Sequence, residues 1–255
     1  MGSYLNPGNF SFRGSLRSKI YVDKSELIAK TNEALCTEQK YICVSRPRRF
    51  GKSMAANMLA AYYDRSENIE ELFRNLAISK DSSYKENLNQ YDVIKINMQE
   101  FLSMSGTMEE MLEMLKKYIV LDFEETYPQV RFRDEKNLIQ VMKDVFSYTR
   151  CPFVILIDEW DCLFREYKQD REAQKKYLDF LRAWLKDKDY VALAYMTGIL
   201  PIKKYGSHSA LNMFTEYSMT DPGDLAGYFG FTEQEVSRLC DTYDMNFEEA
   251  KTWYD

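Results

Sequence analysis

Histidine is almost absent from this chain of 255 residues, which contains a single one, His208. Catalysis by a histidine base and a histidine-rich zinc site are therefore nearly excluded. His208 lies in the polar stretch Gly206-Ser207-His208-Ser209, so we expect it at the surface.

Cysteine pairs with the spacing of a metal site or a redox motif are also lacking. The chain has five cysteines, which include no Cys-x-x-Cys pair, and their odd number argues against a disulfide framework. They are Cys36, Cys43, Cys151, Cys162 and Cys240. This pattern favours a reduced cytosol.

Long apolar runs and an excess of positive charge are missing as well. No segment suits a membrane span, and the N-terminus lacks the charged-then-apolar order of a signal peptide. The formal net charge of −6 argues against a surface that coats nucleic acid. The sequence thus predicts a soluble cytoplasmic protein with no membrane partner and no strong nucleic-acid signal. Its length permits one large α/β domain, alone or with a small helical appendage.

The most informative stretch runs from residue 41 to residue 54 and reads Tyr-Ile-Cys-Val-Ser-Arg-Pro-Arg-Arg-Phe-Gly-Lys-Ser-Met. A run typical of a strand ends at Ser45, a loop with four cations follows, and a helix-forming run begins after it. This order predicts a phosphate-binding loop. Gly51 permits close approach of a phosphate, Lys52 can reach the β- and γ-phosphates, and the Ser53 hydroxyl can ligate Mg²⁺.

Arg46 departs from the pattern Gly-x-x-x-x-Gly-Lys-Ser/Thr, which has glycine at that position. A Gly-Lys-Ser at a helix start is also compatible with an ordinary turn, so a second motif is required. Because the net charge is negative, we interpret the local cations as aimed at one anionic ligand. Arg48 or Arg49 can stabilise the transferring phosphoryl group or form a salt bridge on the loop. The predicted nucleotide-binding residues are Arg46, Pro47, Arg48, Arg49, Phe50, Gly51, Lys52, Ser53 and Met54.

The second motif is acidic and follows a buried strand. The apolar run at 153–157 is typical of a parallel strand buried on both faces, and it ends in Asp158 and Glu159. We predict that Asp158 and Ser53 hold Mg²⁺ and that Glu159 polarises the attacking water. An Asp-Glu pair after a strand is also a common helix cap. Joined to the Gly-Lys-Ser loop in this order, however, it predicts nucleotide binding.

Other polar residues are expected near this site. Thr197 ends the next strand, where many ATPases with a phosphate-binding loop place a polar residue that senses the γ-phosphate. Asp161 can orient a cation or cap the following helix, and the cap is the preferred interpretation. Residues 21–24 are a candidate wall on the adenine side, although a plain helix entry is preferred. Arg165 and Lys168 are interpreted as solvated positions on a helix face.

Strands and helices alternate along the chain. We expect strands at 41–45, 93–97, 153–157 and 190–196, with a weaker one at 214–219. Helices with one apolar face are expected at 108–119, 138–145 and 173–184, and a capping box of Thr232 and Glu235 should start a C-terminal helix. This alternation predicts an α/β fold, the three-layer sandwich of P-loop NTPases with a parallel sheet, followed by the start of a small helical domain.

The chain is divided accordingly into three parts. Residues 1–20 are expected to be a loosely held lead-in, because they are rich in Gly, Ser and Asn. Residues 21–221 are the expected P-loop ATPase domain. Residues 222–255 are expected to be a helical, lid-like C-terminal region that is truncated.

These motifs together resemble the bacterial AAA-ATPase-like family, P-loop ATPases related to the AAA+ and signal-transducing NTPase classes. The matching stretches are Tyr21-Val22-Asp23-Lys24-Ser25, Arg46-Pro47-Arg48-Arg49-Phe50-Gly51-Lys52-Ser53, Ile155-Leu156-Ile157-Asp158-Glu159-Trp160-Asp161, Thr197-Gly198-Ile199 and Gly230-Phe231-Thr232-Glu233. The resemblance covers most of the chain and implies that a residue other than glycine is tolerated at Arg46.

This chain departs from the family's usual residues in small ways. The family usually has Tyr where this chain has Trp160, and Thr where it has Ser25 and often where it has Ser53. Relatives commonly continue into further helices and a nuclease-like domain of the PD-(D/E)xK type. None of that domain lies within these residues, so the resemblance implies no nuclease activity here.

Three functions compete at this point. The leading hypothesis is a module that binds Mg-ATP and hydrolyses it, with Lys52, Asp158, Glu159 and Thr197 as catalytic residues. The alternative is a nucleotide-dependent interaction module that hydrolyses little and holds a protein partner or a missing C-terminal domain. A P-loop kinase that phosphorylates a small molecule is less well supported, because the adjacent Asp-Glu pair favours hydrolysis and no acceptor lid is evident.

Overall fold

Five parallel strands form the centre of the protein in a computed structural model, which describes residues 2–202 and 211–252. The expected surface position of His208 lies outside the described residues. The strands are β1 (Tyr41–Ser45), β2 (Asp92–Asn97), β3 (Phe153–Asp158), β4 (Val191–Gly198) and β5 (Thr215–Tyr217). Their order across the sheet is β2-β3-β4-β1-β5, so β4 separates the strand before the phosphate loop from the strand before the acidic pair.

The register brings the carboxyl ends of the central strands to one edge of the sheet. Ser45 lies opposite Gly198, and Asn97 lies opposite Asp158. Ligand sites of parallel sheets form at this edge, because loops and helix N-termini converge there. The loop after β1 and the acidic pair after β3 are therefore brought to the same side of the molecule.

Helices cover both faces of the sheet, because alternate strand residues bury apolar side chains in two separate cores. One face carries α1 (Phe10–Leu16), α2 (Leu27–Ala34), α3 (Lys52–Tyr63), α4 (Glu70–Phe73) and α5 (Tyr84–Asn87). The other carries α6 (Met98–Ser103), α7 (Met108–Thr126), α8 (Leu138–Thr149), α9 (Cys162–Glu166) and α10 (Arg171–Leu185). This arrangement confirms the expected α/β fold with a parallel sheet between two helical layers.

The C-terminal part begins with a helical turn at Gly223–Tyr228 and continues into α11 (Glu233–Tyr243) and α12 (Phe247–Thr252). A further helical turn lies earlier, at Ala77–Lys80. Thr232 and Glu235 form the expected capping box at the start of α11. Across both described ranges, no helix combines the length and the apolar character that a membrane crossing requires.

The first residues differ from the expected loose lead-in, because they pack onto the body of the protein. Leu5 is fully buried and forms an antiparallel bridge with Ile94 of β2. The Lys95 N–H donates to the Tyr4 carbonyl over 2.8 Å, and the Asn6 N–H donates to the Val93 carbonyl over 2.7 Å. The reason is that β2 lies at the edge of the sheet, where its outer backbone groups need partners.

Candidate functional site

The loop after β1 leads directly into α3 and leaves the first turn of that helix without a side-chain cap. Gly51 occupies the N-cap position with φ at 81°, a left-handed conformation that glycine adopts at little cost. It has no side-chain oxygen, so it cannot accept from the N–H groups of the first turn. Those N–H groups and the positive end of the helix dipole are available to an anion.

Lys52 folds back over this loop. Its amine donates to the carbonyls of Arg46 and Pro47, each over 2.9 Å. Burial lowers the pKa of the Lys52 amine, whereas the carboxylates of Glu159 and Asp158 raise it. A buried lysine with two neutral acceptors is well suited to a phosphate, which would supply the negative charge it lacks.

Two predicted residues converge on the carboxylate of a third at the edge of the sheet. Ser53 donates its hydroxyl proton to Oδ2 of Asp158 over 2.5 Å. Thr197 donates to Oδ1 of the same carboxylate from the end of β4. Asp158 and Thr197 are buried. The structure thus joins the phosphate loop, the acidic strand end and the polar strand end in one hydrogen-bonded group.

These residues also fit a magnesium ion. Ser53 and Asp158 offer a hydroxyl and a carboxylate oxygen, the hard donors that Mg²⁺ prefers. No group of three or more His, Cys, Asp or Glu side chains suited to a metal occurs in residues 2–202 or 211–252. That result is compatible with magnesium, which is usually held by one or two carboxylates while nucleotide phosphates and water complete its shell.

Glu159 follows Asp158 in the chain and lines a cavity together with Lys52 and Ser53. Its backbone is left-handed, with φ at 55°, and its N–H donates to Oδ1 of Asp158 over 3.0 Å. A non-glycine residue with this backbone is uncommon, and such conformations concentrate at functional sites. The Glu159 carboxylate forms an ion pair with Arg165 of α9.

The placement of Arg165 corrects the expectation of a solvated helix position. Its side chain is 16% exposed and contacts both Glu159 and Asp161. Lys168, by contrast, is exposed as expected. Arg165 follows Asp161 by four residues, a helical spacing that favours ion pairs and was the available sequence signal.

Asp161 also differs from its preferred interpretation as a helix cap. It occupies the N-cap position of α9, but its side chain makes no capping hydrogen bond. Its Oδ2 instead accepts from the N–H groups of Ile199 and Leu200, over 3.1 and 2.8 Å. The same oxygen lies 3.7 Å from Nε of Arg165, so the carboxylate has a cation of the chain beside it.

Arg46 does not aim its side chain at an external anion. The guanidinium is buried and donates to the carbonyls of Ser45 and Tyr217, over 3.0 and 2.7 Å. It also lies over the ring of Phe229, 5.5 Å from the centroid. Burial lowers the pKa of Arg46. The interpretation of this side chain as part of the cation group facing a ligand is therefore wrong.

The remaining loop residues surround a cavity of about 460 Å³. Arg48, Arg49, Phe50, Ser53 and Met54 all line it, together with Gly51 and Lys52. Neither Arg48 nor Arg49 has an ion-pair partner among the residues that the structure describes, and both are exposed. Of their two predicted roles, a salt bridge on the loop is thus not realised within the described parts of the chain.

Another part of the cavity lining is mostly apolar. It includes Phe12, Ile20, Tyr21, Val22 and Met58, so part of the segment at 21–24 lies where a wall was expected. Burial raises the pKa of the Tyr21 phenol, which stays neutral. An apolar wall facing a cationic loop suits a ligand with a flat ring at one end and anionic groups at the other.

The C-terminal part also contributes to the lining of the cavity. Gly230 and Phe231 line it, and the Gly230 N–H donates to the Phe50 carbonyl over 3.1 Å. Lys24 forms an ion pair with Glu235 of the capping box over 2.6 Å and donates to the Gly227 carbonyl over 2.7 Å. The helical C-terminal part is thus tied to both the phosphate loop and the apolar wall.

Comparison with known proteins gives two matches. The family described as Predicted AAA-ATPase matches residues 12–207. A protein of Azotobacter chroococcum mcd 1, described as an uncharacterized protein in vnfD 5'region, is 22% identical over 245 residues. That alignment covers 92% of this chain and 44% of the relative, so the chain spans less than half of the relative's length.

Proposed function

Because the chain belongs to the predicted AAA-ATPase family, we propose that it binds ATP with Mg²⁺ at the loop of residues 46–53 and hydrolyses it. One observation carries the proposal: Ser53, Asp158 and Thr197 form a single hydrogen-bonded group beside Lys52 and Glu159. Two hydroxyls on one carboxylate, next to an uncapped helix N-terminus, combine a metal-binding pair with an anion site.

Each residue then has a separable role. Lys52 and the first-turn N–H groups of α3 bind the β- and γ-phosphates. Ser53 and Asp158 would hold Mg²⁺, which would supply positive charge to the transferring phosphoryl group. Thr197 fixes the orientation of the Asp158 carboxylate. Glu159 orients the attacking water and accepts its proton.

The apolar wall and the C-terminal part complete the proposal. The adenine ring lies against the apolar part of the lining, which includes Tyr21, Val22 and Phe231. Residues 222–255 act as a lid-like region whose contacts with Phe50 and Lys24 respond to the nucleotide. We place this activity in the cytoplasm, since the five cysteines are free. The effector of that response is a protein partner or a further domain.

The test measures ATP binding and phosphate release for the whole chain and two variants. Lys52→Ala is expected to weaken ATP binding by about 100-fold or more, because the phosphates lose their buried cation. Glu159→Gln is expected to keep binding within about threefold and to slow turnover by about 100-fold or more. Lys85→Ala and Glu86→Gln, both exposed and outside the cavity, serve as matched controls. Normal binding by Lys52→Ala would overturn the proposal.

A nucleotide-dependent interaction module with little hydrolysis is the second candidate. The ion pair between Glu159 and Arg165 favours it, because the pair engages the carboxylate with a group of the protein and not with a water molecule. The same assay separates the two functions. Tight ATP binding by the unaltered chain without phosphate release would support the interaction module.

A further inference from the structure

Arg165 is held in a crowded polar position between three elements. One guanidinium nitrogen donates both to the Glu159 carboxylate and, over 3.3 Å, to Oε1 of Gln99 in α6. Its Nε lies 3.7 Å from the buried Asp161 carboxylate. The guanidinium is therefore fixed from the loop after β3, from α6 and from its own helix α9.

The direction of the Glu159 side chain depends on this arginine. The backbone around Glu159 is secured by its own N–H bond to Asp158 and by the Trp160 N–H, which donates to the Thr197 carbonyl over 3.1 Å. The Glu159 carboxylate has only Arg165 as a hydrogen-bond partner within residues 2–202 and 211–252. Without Arg165 the carboxylate would be free to sample other rotamers in the cavity.

We infer that Arg165 is a positioning residue for the reaction, which it assists by aiming the Glu159 carboxylate at the attacking water. The inference rests on the proposed function. Glu159 lines the cavity, whereas Arg165 does not. The guanidinium is also committed to protein groups on several sides. Arg165 therefore acts through Glu159 and makes no direct contact with the phosphates.

The experiment is a double-mutant cycle on the full chain, read out as steady-state ATP hydrolysis and ATP binding. Arg165→Ala is expected to lower kcat by about 10- to 100-fold while KM and Kd for Mg-ATP change less than about threefold. Arg165→Lys should recover part of kcat, since it restores the charge without the planar fork. In the Glu159→Gln background, adding Arg165→Ala should cause little further loss. Arg182→Ala, an exposed arginine on α10, is the matched control.

Three outcomes would overturn the inference. Full activity of Arg165→Ala would show that Glu159 needs no positioning. If Arg165→Ala lowers kcat by the same factor in the Glu159→Gln background as in the unaltered chain, the arginine would act directly on the phosphates. A rise in KM with unchanged kcat would assign it to substrate binding.

Loss of folding is monitored separately by the thermal midpoint. Gln99→Ala removes only a neutral contact of Arg165, and it should lower kcat about two- to fivefold in a folded chain. If Gln99→Ala and a folded Arg165→Lys both have the kcat of the unaltered chain, the inference fails. Failure of the proposed function looks different, because the unaltered chain itself would then release no phosphate, and both proposals would fall together.

Discussion

The hydroxyl of Thr197 donates to Oδ1 of Asp158, which ties the polar end of β4 to the acidic end of β3. Both residues are buried, so neither group can turn to bulk water for a replacement partner. The bond therefore fixes the carboxylate that Ser53 contacts from the other side.

Thr197→Val should keep the shape of β4 and lose this bond. Oδ1 of Asp158 keeps the Glu159 N–H as a donor, so the variant loses one of two hydrogen bonds to a charged oxygen, which costs about 1.5 to 3 kcal/mol. We expect ATP turnover to fall about 10- to 100-fold, with the affinity for Mg-ATP within about threefold of the unaltered value. Steady-state phosphate release measures the effect. Thr197→Ser keeps the hydroxyl and is the control, so equal losses in both variants would contradict a role for the hydrogen bond.

Substitutions of Arg46 and Arg48 should have different effects, the first on stability and the second on ATP binding. Arg46→Met removes two buried charge-assisted hydrogen bonds, and we expect the free energy of unfolding to fall by about 2 to 4 kcal/mol while ATP affinity stays within about threefold. Arg48→Met, in the cavity wall, should leave stability unchanged and weaken ATP binding about tenfold. Denaturant unfolding and ATP titration measure the two effects. The reverse pattern would return Arg46 to the phosphate site.

Gly230 is expected to tolerate no side chain. Its φ is 73°, and an added Cβ would lie 3.0 Å from Cδ1 of Phe50. Gly230→Ala should therefore lower the free energy of unfolding by about 1 to 3 kcal/mol and displace Phe50, which weakens ATP binding. Gly227→Ala is the matched control, because a Cβ there meets no atom within 4 Å. Similar behaviour of the two variants would argue against the contact between the C-terminal part and the loop.

The cysteines should differ sharply in reactivity. Burial raises the pKa of the Cys162 thiol to about 12 and the pKa of Cys43 well above its usual range. Because the thiolate is the reactive form, alkylation of these two at pH 8 should be at least about 100-fold slower than alkylation of the exposed Cys36. The rates should rise with pH and become similar in denaturant. Mass spectrometry of alkylated peptides measures them, and fast labelling of Cys162 would contradict its burial.

Much of the fold could be predicted because parallel strands buried on both faces are continuous apolar runs in the sequence. The apolar runs that became β1, β3 and β4 are continuous, and those of β3 and β4 lead into Asp158 and Thr197, two polar residues that the site uses. The contact between Ser53 and Asp158 also follows from order alone, since parallel strands direct their carboxyl ends to one edge.

The incorrect expectations concern side chains whose contact partners are distant in sequence, or a backbone conformation that sequence patterns do not predict. Arg46 finds the Tyr217 carbonyl 171 residues away, so its local setting among cations was misleading. Arg165 reaches Glu159 because Glu159 has a left-handed backbone, which composition does not predict. Leu5 lies in a segment rich in Gly, Ser and Asn, and its pairing with the open side of β2 explains its burial.

The segment that covers β2 also decides where this chain can be shortened. The family match begins at residue 12, so a chain trimmed to that boundary would lose Tyr4, Leu5 and Asn6. The backbone of Val93 and Lys95 would then be an open strand edge that can pair with the same edge of another molecule. Self-association of such a shortened chain would arise from this exposed edge and would carry no information about the natural assembly.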